Sequence, residues 1–336
     1  MVNNDFTVIL DQREGTDIRG ARVGGAELFG KQFYMTGSTG LADSIKALLD
    51  EGLVHVPTYG LVAGRAFVGK EDEAWSLYHD SRAERITALD EKGIMGAKGT
   101  VYALDIQNGG LFVWNPQRIK TAVEGGNLVN YALQLEQEEV NAVLDAIKKQ
   151  DTLALKQLVH GGNVAFAGKY DGFLEASASP DFLQGMDTTY LVIRPATEAR
   201  KLISDRQNID AQRENPDIII ALGGKTPAGR MLDKAEGFEW NKFGAWHDGY
   251  NNNNTGRVVC LGSDDDGVVG LRNLNYYGRP VGVAPEALDA FYGKTAQRIK
   301  LNPSELADFL LAEYPQLDRA VLLQGIEAYQ RAKTEE

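Results

Sequence analysis

Residues 217–227 read DIIIALGGKTP, and this stretch decides how the second half of the chain is interpreted. The run Asp217–Leu222 has the length and the β-branched composition of a buried strand. Two glycines end that run, and Thr226 followed by Pro227 is typical of a helix start. The stretch therefore predicts a strand, a glycine turn and a helix.

Strands and helices alternate on both sides of this stretch. Thr189–Arg194 predicts a second buried strand, and Val258–Leu261 and Val268–Leu271 predict strands that flank an acidic turn. Two helices are predicted over Leu301–Ala332. Such alternation favours a parallel or mixed sheet. The predicted fold class is α/β or α+β, with a mixed sheet and flanking helices in the C-terminal half and a helical C-terminus.

The first half of the chain is rich in glycine and in short β-type runs. Its clearest motif is Asn108-Gly109 between two apolar runs, which predicts a hairpin. Between residues 133 and 159 the apolar period becomes that of a helical hairpin. We place a domain boundary at its end. This gives a Gly-rich α+β N-terminal domain over 1–160 and an α/β C-terminal domain over 161–336.

Composition excludes several classes of function. The 336 residues carry 35 Lys+Arg against 47 Asp+Glu, a net charge of −12, which disfavours a nucleic-acid partner. The single cysteine, Cys260, excludes an internal disulfide framework. The apolar runs are only strand-length and the N-terminus lacks a signal-peptide pattern. We therefore expect no membrane association and a cytoplasmic location, in a cell or in a host infected by a phage or virus, rather than secretion.

The glycine turn is the main candidate ligand site. A strand that ends in Gly223-Gly224 before a helix presents backbone N–H groups and the positive end of the helix dipole, which suit a phosphate or carboxylate. Lys225 and the hydroxyl of Thr226 add a cation and a donor. An ordinary helix start with Thr226 as N-cap is the alternative, and the sequence leaves it open.

The run Thr197–Leu232, which ends in IALGGKTPAGRML, resembles the opening of the 6-phosphogluconolactonase and glucosamine-phosphate isomerase group. In that group a similar Gly-Gly-x-Thr-Pro turn holds sugar phosphate, so the resemblance implies a phosphorylated ligand. Residues 261–267 are similar to a later Leu-Gly…Asp-Gly element of the group, although Val268 stands where the group carries a histidine. The resemblance bears on the turn alone.

Residues 240–254, WNKFGAWHDGYNNNN, form a second candidate site. His247 and Asp248 are neighbours that can perform general acid–base chemistry, and they are the candidate catalytic pair. Trp246 and Tyr250 are candidate ligand-binding residues, since aromatic loops also bind sugars or partner surfaces. A loop anchored in the core by its tryptophans, with the asparagine run as an exposed tip, is the alternative.

Asp264 and Asp266 are the candidate metal ligands. They belong to the turn SDDDG at residues 263–267, and alternate carboxylates before a glycine can hold Mg²⁺ or Ca²⁺ through oxygen ligands. No glutamate occupies the later position that an EF-hand requires. A solvated acidic turn is the alternative.

These sites give two main hypotheses. The first is an intracellular protein that binds a small phosphorylated or carboxylated ligand at the strand–GGKT–helix turn, with catalysis if the candidate sites converge. The second is a self-assembling structural protein, such as a virion or shell subunit, which the 37 glycines and many short strands favour. A carbohydrate- or protein-binding module that uses the Trp-rich loop is the third. The sequence leaves open whether the protein is an enzyme.

Overall fold

The computed structural model of the chain describes residues 9–13, 16–23, 26–33, 38–67, 77–179, 181–183, 187–199, 209–237, 245–246, 254–262, 269–271, 273–283 and Arg319. Contacts divide the chain into a compact unit Met1–Tyr292 and a second unit Gly293–Glu336. The elements named below belong to the first unit. Apart from Arg319, which is helical, the predicted helices over 301–332 lie outside the described residues.

Strands and helices are interspersed along the described residues. The strands are β1 (Ile9–Arg13), β2 (Thr16–Val23), β3 (Ala26–Phe33), β4 (Val54–His55), β5 (His79–Asp90), β6 (Thr100–Gln107), β7 (Leu128–Val129), β8 (Ala132–Gln134), β9 (Asn163–Lys169), β10 (Thr188–Pro195), β11 (Ala245–Trp246), β12 (Thr255–Leu261), β13 (Val269–Leu271) and β14 (Val281–Val283). The helices are α1 (Gly40–Asp50), α2 (Thr58–Phe67), α3 (Pro116–Glu124), α4 (Gln137–Lys149), α5 (Thr152–Leu158), α6 (Tyr170–Ala176), α7 (Ala196–Ala199), α8 (Ile209–Gln212), α9 (Pro216–Leu222) and α10 (Lys225–Gly237).

Two sheets form the scaffold. The smaller sheet has the order β1-β2-β3-β14-β4 and is antiparallel. The larger sheet has the order β11-β13-β12-β5-β6-β10-β9, and the β7–β8 pair joins β12 through β8. In the larger sheet β9 runs parallel to β10 and β11 parallel to β13, while its other pairs are antiparallel. The predicted mixed sheet with flanking helices is confirmed, in an α+β fold.

Strand β10 shows that the larger sheet is covered on both faces. Tyr190 and Val192 belong to a core cluster that includes residues of α2, α9 and α10. Leu191 and Ile193 belong to a second cluster with residues of α1, α3, α4 and α5. Because successive side chains of a strand point to opposite faces, helices cover both sides of this strand. The predicted buried strand at Thr189–Arg194 is confirmed.

The predicted strand Asp217–Leu222 is wrong, because these residues form α9. Asn215 caps the helix by accepting a hydrogen bond from the N–H of Asp217 at 3.0 Å, and Pro216 occupies the first turn. Gly223 ends the helix with φ of 92°. A short apolar run has no period that separates a buried strand from a buried helix, so the capping residues decide the outcome.

A buried charge cluster anchors the first turn of α9 to the larger sheet. Asp217 accepts hydrogen bonds from Arg85 of β5 and Arg194 of β10, with both Nη2–Oδ1 distances at 2.5 Å. Asp105 of β6 accepts from the same two arginines. All four side chains are at most 3% exposed. Burial lowers the pKa of Arg194, but the two carboxylates outweigh that effect and the pKa is raised overall.

The Asn108-Gly109 pair does not form the predicted hairpin. Strand β6 ends at Gln107 and pairs with β5 across residues 91–99 instead. The run that follows Asn108-Gly109 is an irregular loop over residues 110–115 rather than a returning strand. The chain bends at Asn108, which has φ of 59°, but the partner strand of β6 comes from elsewhere in the chain.

A buried carboxylate holds this loop through hydrogen bonds that replace pairing with another strand. Glu84 of β5 accepts the backbone N–H groups of Leu111, Phe112 and Val113 at 2.7, 2.8 and 2.5 Å. Burial raises the pKa of Glu84 to about 7, although the three N–H donors and the charge of Arg118 oppose the rise. The side chain therefore satisfies three loop amides that would otherwise be buried without acceptors.

The helical hairpin predicted between residues 133 and 159 is confirmed as α4 and α5. The larger sheet, however, combines β5 and β6 from before residue 160 with β9, β10 and β12 from after it. A boundary between 1–160 and 161–336 would thus divide one sheet. The change of apolar period there marks a helical hairpin that packs on the sheet.

Candidate functional site

The predicted anion-binding turn follows a helix rather than a strand. The N–H of Gly223 donates to the carbonyl oxygen of Ile220 at 3.3 Å, and that of Gly224 donates to Ile219 at 2.8 Å. Both glycines have positive φ, 92° and 120°. These two N–H groups therefore close the C-terminus of α9 in the manner of a Schellman-type cap.

Lys225 and Thr226 are exposed at the start of α10. The Nζ of Lys225 donates to Oε2 of Glu214 at 2.7 Å, in an ion pair whose side chains are 51% and 73% exposed. An anion bound here would meet the first turn of a helix and one paired lysine. The ligand-binding role of residues 223–226 stays a prediction.

The remaining predicted site residues fall mainly on positions that the structure does not describe. Outside the described residues lie His247, Asp248, Tyr250, Asp264 and Asp266. The backbone of Trp246 lies in β11 and pairs with Gly270 of β13, so it is adjacent to the strand that follows the acidic turn. The catalytic, ligand-binding and metal-binding roles of these residues stay predictions.

The last residue of the asparagine run is not part of an exposed tip. Asn254 is 7% exposed, and its Oδ1 accepts the N–H of Leu89 at 2.8 Å. Its Nδ2 donates to Gln137 at 2.7 Å, and its carbonyl oxygen accepts from Leu135 and Gln134. Asn254 therefore fixes the start of β12 against β5 and β8.

The structure brings together an aromatic surface that sequence reasoning missed. Tyr131 and Tyr276 are 53% and 50% exposed. They lie on adjoining loops, because the N–H of Leu274 donates to the carbonyl oxygen of Tyr131 at 3.0 Å. We define the tyrosine surface as these two residues together with the half-buried side chains of Tyr78, Tyr277 and Arg279.

Three rings of the tyrosine surface, those of Tyr276, Tyr277 and Tyr78, support one another. The centroids of Tyr276 and Tyr277 are 6.1 Å apart with the rings edge to face, and those of Tyr277 and Tyr78 are 6.0 Å apart. The guanidinium of Arg279 lies over the ring of Tyr78 at 5.4 Å. These distances are typical of aromatic and cation–π contacts, so these three rings and Arg279 form a packed unit.

Tyr131 stands at the tip of the β7–β8 hairpin in an unusual backbone conformation. Val129 pairs with Ala132, which leaves a two-residue loop. Its residues Asn130 and Tyr131 have φ of 48° and 63°, the left-handed region that a type I′ turn requires. Asparagine tolerates this conformation, but for a residue as bulky as tyrosine it costs about 1–2 kcal/mol. Glycine is the residue usually found at such a position.

Arg257 of β12 ties both loops of the tyrosine surface to the larger sheet. Its side chain donates to the carbonyl oxygen of Asn130 and, through Nη1, to Oδ1 of Asn273 at 3.1 Å. The residue is only 8% exposed. Because a guanidinium is a planar, rigid donor, it fixes the relative position of the two loops.

Asp80 anchors the other end of the surface. Its Oδ2 accepts the N–H of Arg279 at 2.6 Å, and its carbonyl oxygen lies 3.1 Å from Nε2 of His55. Burial lowers the pKa of His55 to about 3, so this imidazole is neutral at physiological pH. The tyrosine surface thus offers ring faces and hydrogen-bonding groups on a rigid frame, an arrangement suited to binding.

Metal-binding clusters and membrane-spanning helices are both absent from the described residues. Within them, no group of three or more His, Cys, Asp or Glu side chains is placed to hold a metal ion, so the Mg²⁺ or Ca²⁺ site stays a prediction for the acidic turn. None of the helices in the described part of the chain is long and apolar enough to span a membrane.

Comparison with known proteins informs the fold. No family model and no curated protein matches the chain. A solved structure described as "Accommodation of massive sequence variation in Nanoarchaeota by the C-type lectin fold" matches with a TM-score of 0.52 and 17% sequence identity. The match covers 76% of this chain and 97% of that chain. At this identity the likeness shows the fold alone: the chain is similar to a C-type lectin fold.

Two sequence signals could have directed attention to the tyrosine surface. One is Asn130-Tyr131 between two short apolar runs, and the other is Asn275-Tyr-Tyr-Gly278. Each is typical of a turn by itself. Only the pairing of β7–β8 with β12 brings the two segments together.

Proposed function

We propose that the chain is a recognition module that binds a macromolecular partner through the tyrosine surface. The observation that carries the proposal is Tyr131, a half-exposed aromatic held in a left-handed conformation at a hairpin tip. Strained backbone at an exposed position persists only where the surrounding structure enforces it, and it is associated with ligand contacts. Here Arg257 and the N–H of Leu274 enforce it.

The chemistry of the surface supports binding to a partner. Tyrosine has few rotatable bonds and a large ring with a polar end, so it gives contact area at low entropic cost. Tyrosine and arginine are enriched among the residues that dominate binding energy at interfaces. Asparagine and glycine, which surround the tyrosines at 273–278, supply adaptable hydrogen bonding in such surfaces.

The fold likeness adds support of a general kind. In the Nanoarchaeota protein the C-type lectin fold accommodates massive sequence variation. A scaffold that tolerates variation suits a recognition module, in which loops change while the sheet is kept. The predicted aromatic loop at Trp246–Tyr250 belongs to the same proposal, since carbohydrate or protein binding through that loop was one of the sequence-based hypotheses.

The test is a binding screen on the full chain. The immobilised protein is exposed to a phage-displayed random peptide library and to a glycan array, and the recovered binders are measured against wild type and two variants. The double variant Tyr131→Ser/Tyr276→Ser should weaken binding by roughly 30-fold or more, since each tyrosine contributes at least about 1 kcal/mol. Leu153→Ser is the control, because Leu153 is 67% exposed on α5, outside the tyrosine surface. Equal loss in the control, or no loss in the double variant, would refute the proposal.

The other two hypotheses drawn from the sequence remain proposals of their own. A small phosphorylated or carboxylated ligand at residues 223–226 would raise the Tm by an amount that increases with the logarithm of its concentration above the Kd, and Lys225→Ala should abolish that rise. Self-assembly into a shell would give a large particle in light scattering. Neither test depends on the tyrosine surface.

A further inference from the structure

We infer that the chain binds a small ring-bearing carboxylate at a second site, formed by the guanidinium of Arg82 and the exposed ring of His160. This Arg82–His160 site shares no residue with the tyrosine surface, so it would give the chain a binding activity separate from partner recognition. The site combines a stacked pair of rings, an arginine without a carboxylate partner and a frame of backbone hydrogen bonds.

His160 presents its imidazole on top of the indole of Trp114. The two ring centroids are 3.5 Å apart, and the ring planes are 28° from parallel. Trp114 is partly buried, whereas His160 is exposed. Because the indole covers one face of the imidazole, the exposed area of His160 lies on the opposite face and at the ring edge. That face can stack with the ring of a ligand, as aromatic pairs do.

The backbone of His160 shows that this ring occupies a position where glycine is usual. The N–H of His160 donates to the carbonyl oxygen of Gln157 at 3.4 Å, and that of Gly161 donates to Lys156 at 3.1 Å. These two bonds form a Schellman motif after α5, with His160 in the left-handed region at φ of 48°. Glycine is common at that position because it lacks a Cβ. A histidine there displays a ring at a cost in backbone energy.

Arg82 of β5 places a guanidinium beside this ring. Its Nη2 donates to the carbonyl oxygen of His160 at 2.6 Å. Among the described residues this is the one hydrogen bond of its side chain, and no ion pair joins it to a carboxylate. Arg85, Arg118 and Arg194, by contrast, each form such an ion pair. The side chain of Arg82 is partly exposed, so its remaining N–H groups can donate to a ligand.

The charge of Arg82 is poorly compensated by the protein. Burial lowers the pKa of the guanidinium, although Tyr59 and Asp187 act in the opposite direction. A guanidinium stays protonated at physiological pH, so the fold sustains a partly desolvated charge. A bound carboxylate would offset that desolvation through charge-assisted hydrogen bonds.

Asp187 is the charged neighbour that limits the class of anion. Within the described part of the chain it forms no ion pair with Arg82, and its Oδ2 accepts a hydrogen bond from Nδ2 of Asn163 at 2.6 Å. Its negative charge still acts on the guanidinium, whose pKa it raises. A phosphate dianion would be repelled more strongly than a carboxylate by Asp187 and by the net charge of −12. The site therefore suits a singly charged, planar anion.

Backbone hydrogen bonds join the three segments that build the site. The carbonyl oxygen of Arg82 accepts the N–H of Gly109 at 3.2 Å, which links β5 to the loop that carries Trp114. The N–H of Gly110 in that loop donates to the carbonyl oxygen of Val159 at 2.8 Å, which links the loop to the end of α5. The guanidinium and the stacked rings are therefore in position before a ligand binds, which lowers the entropic cost of binding.

Isothermal titration calorimetry of the full chain with two ring carboxylates tests the inference. Benzoate and glucuronate share the carboxylate and differ in the ring, so they distinguish an aromatic ligand from a sugar acid. Benzamide and methyl glucoside are their uncharged counterparts, and acetate is a carboxylate without a ring. At least one ring carboxylate should bind at least about tenfold more tightly than its uncharged counterpart, because the guanidinium forms charge-assisted hydrogen bonds with the carboxylate alone.

Three substitutions separate the contributions to binding. Arg82→Gln should weaken the ring carboxylate at least about tenfold. His160→Gly should weaken it roughly threefold or more, while it keeps the carbonyl oxygen that holds Arg82 and relieves the left-handed strain. Asp187→Asn should strengthen binding a few-fold by removing a competing negative charge, a gain that a damaged fold would not produce. Arg213→Gln is the control, since Arg213 is already paired with Asp233, and it should leave the affinity unchanged.

The contrary outcomes are distinct. Binding that survives both Arg82→Gln and His160→Gly, or no saturable binding of either ring carboxylate up to about 20 mM, would overturn the Arg82–His160 site. Equal binding of acetate would show that the ring is not recognised, and tighter binding of inorganic phosphate would show that the class of anion is wrong. None of these results involves Tyr131 or Tyr276, so the recognition module is judged by its own test.

Discussion

Substitutions at Tyr131 test whether the left-handed backbone conformation at the hairpin tip lowers the free energy of unfolding. Tyr131→Gly and Tyr131→Ala both remove the ring, so they lose the same contacts. They differ in that alanine keeps a Cβ at φ of 63°, whereas glycine does not. The comparison of the two variants therefore isolates the backbone term.

The expected magnitude follows from two opposing effects. The left-handed conformation costs a residue with a Cβ about 1–2 kcal/mol, and glycine avoids that cost. Glycine loses roughly 0.5–1 kcal/mol through its greater freedom in the unfolded chain. The free energy of unfolding of Tyr131→Gly should therefore be about 0.5–1 kcal/mol higher than that of Tyr131→Ala, so the glycine variant should be the more stable of the two.

Urea denaturation measures this difference, provided that the two variants unfold with the same dependence of free energy on urea concentration. The matched position is Leu153, which is exposed within α5, where the usual order applies and alanine should be more stable than glycine by about 1 kcal/mol. We therefore predict that the glycine variant is the more stable one at position 131 and the alanine variant is the more stable one at position 153. If alanine equals or exceeds glycine at Tyr131, the strain argument, and with it the main support for a displayed tyrosine, is refuted.

Three further predictions concern the scaffold. Burial raises the pKa of Glu84 to about 7 in the fold from an ordinary 4.5, so its contribution to stability is complete below pH 4.5 and is lost as the pH rises through 7. Between pH 4.5 and 7 the free energy of unfolding of wild type should fall by roughly 3 kcal/mol relative to that of Glu84→Gln. Parallel pH profiles of the two proteins would contradict this prediction. Gly110→Ala should destabilise by about 1–3 kcal/mol or more, because its Cβ would lie 2.1 Å from the carboxyl carbon of Glu84, whereas Gly229→Ala in open space on α10 should be neutral or stabilising in thermal melts. Asp217→Asn should lower the free energy of unfolding by about 3–5 kcal/mol, because it leaves buried arginines without a full counter-charge. Asp233→Asn, in an exposed ion pair, should change it by less than about 1 kcal/mol. Similar effects at both sites would show that the buried cluster contributes no more to stability than an exposed ion pair does.

The strand at Thr189–Arg194 and the helical hairpin were predictable from their local sequence patterns. Thr189–Arg194 is apolar at its centre, Tyr190–Ile193, and lies in a sheet covered on both faces. The strands and helices along the chain correctly indicated a mixed sheet. In residues 137–158 the apolar positions repeat with helical spacing, and the two helices follow. In both cases the local pattern and the tertiary environment agree.

The isoleucine run shows where local pattern is insufficient. Six residues, DIIIAL, suit either a buried strand or a buried helix, and their β-branched side chains favour the strand. The helix forms because Asn215 and Gly223 cap it and because Asp217 meets two arginines from distant strands. The caps are visible in the sequence, but the arginine partners are not.

The candidate site was the least predictable feature, for a related reason. Tyr131 and Tyr276 are 145 positions apart, and each belongs to a segment that resembles an ordinary turn. Their proximity depends on β8 pairing with β12 and on Arg257 reaching both loops. No period or motif in one dimension encodes that convergence.

The most direct test of the recognition module is the affinity of one selected binder for four forms of the full chain, measured by surface plasmon resonance. Wild type and Leu153→Ser should bind equally, Tyr276→Ser should bind at least about fivefold more weakly, and Tyr131→Ser/Tyr276→Ser should bind at least about 30-fold more weakly. Circular dichroism of each variant confirms that the fold is kept. Undiminished binding by the folded double variant would contradict the account.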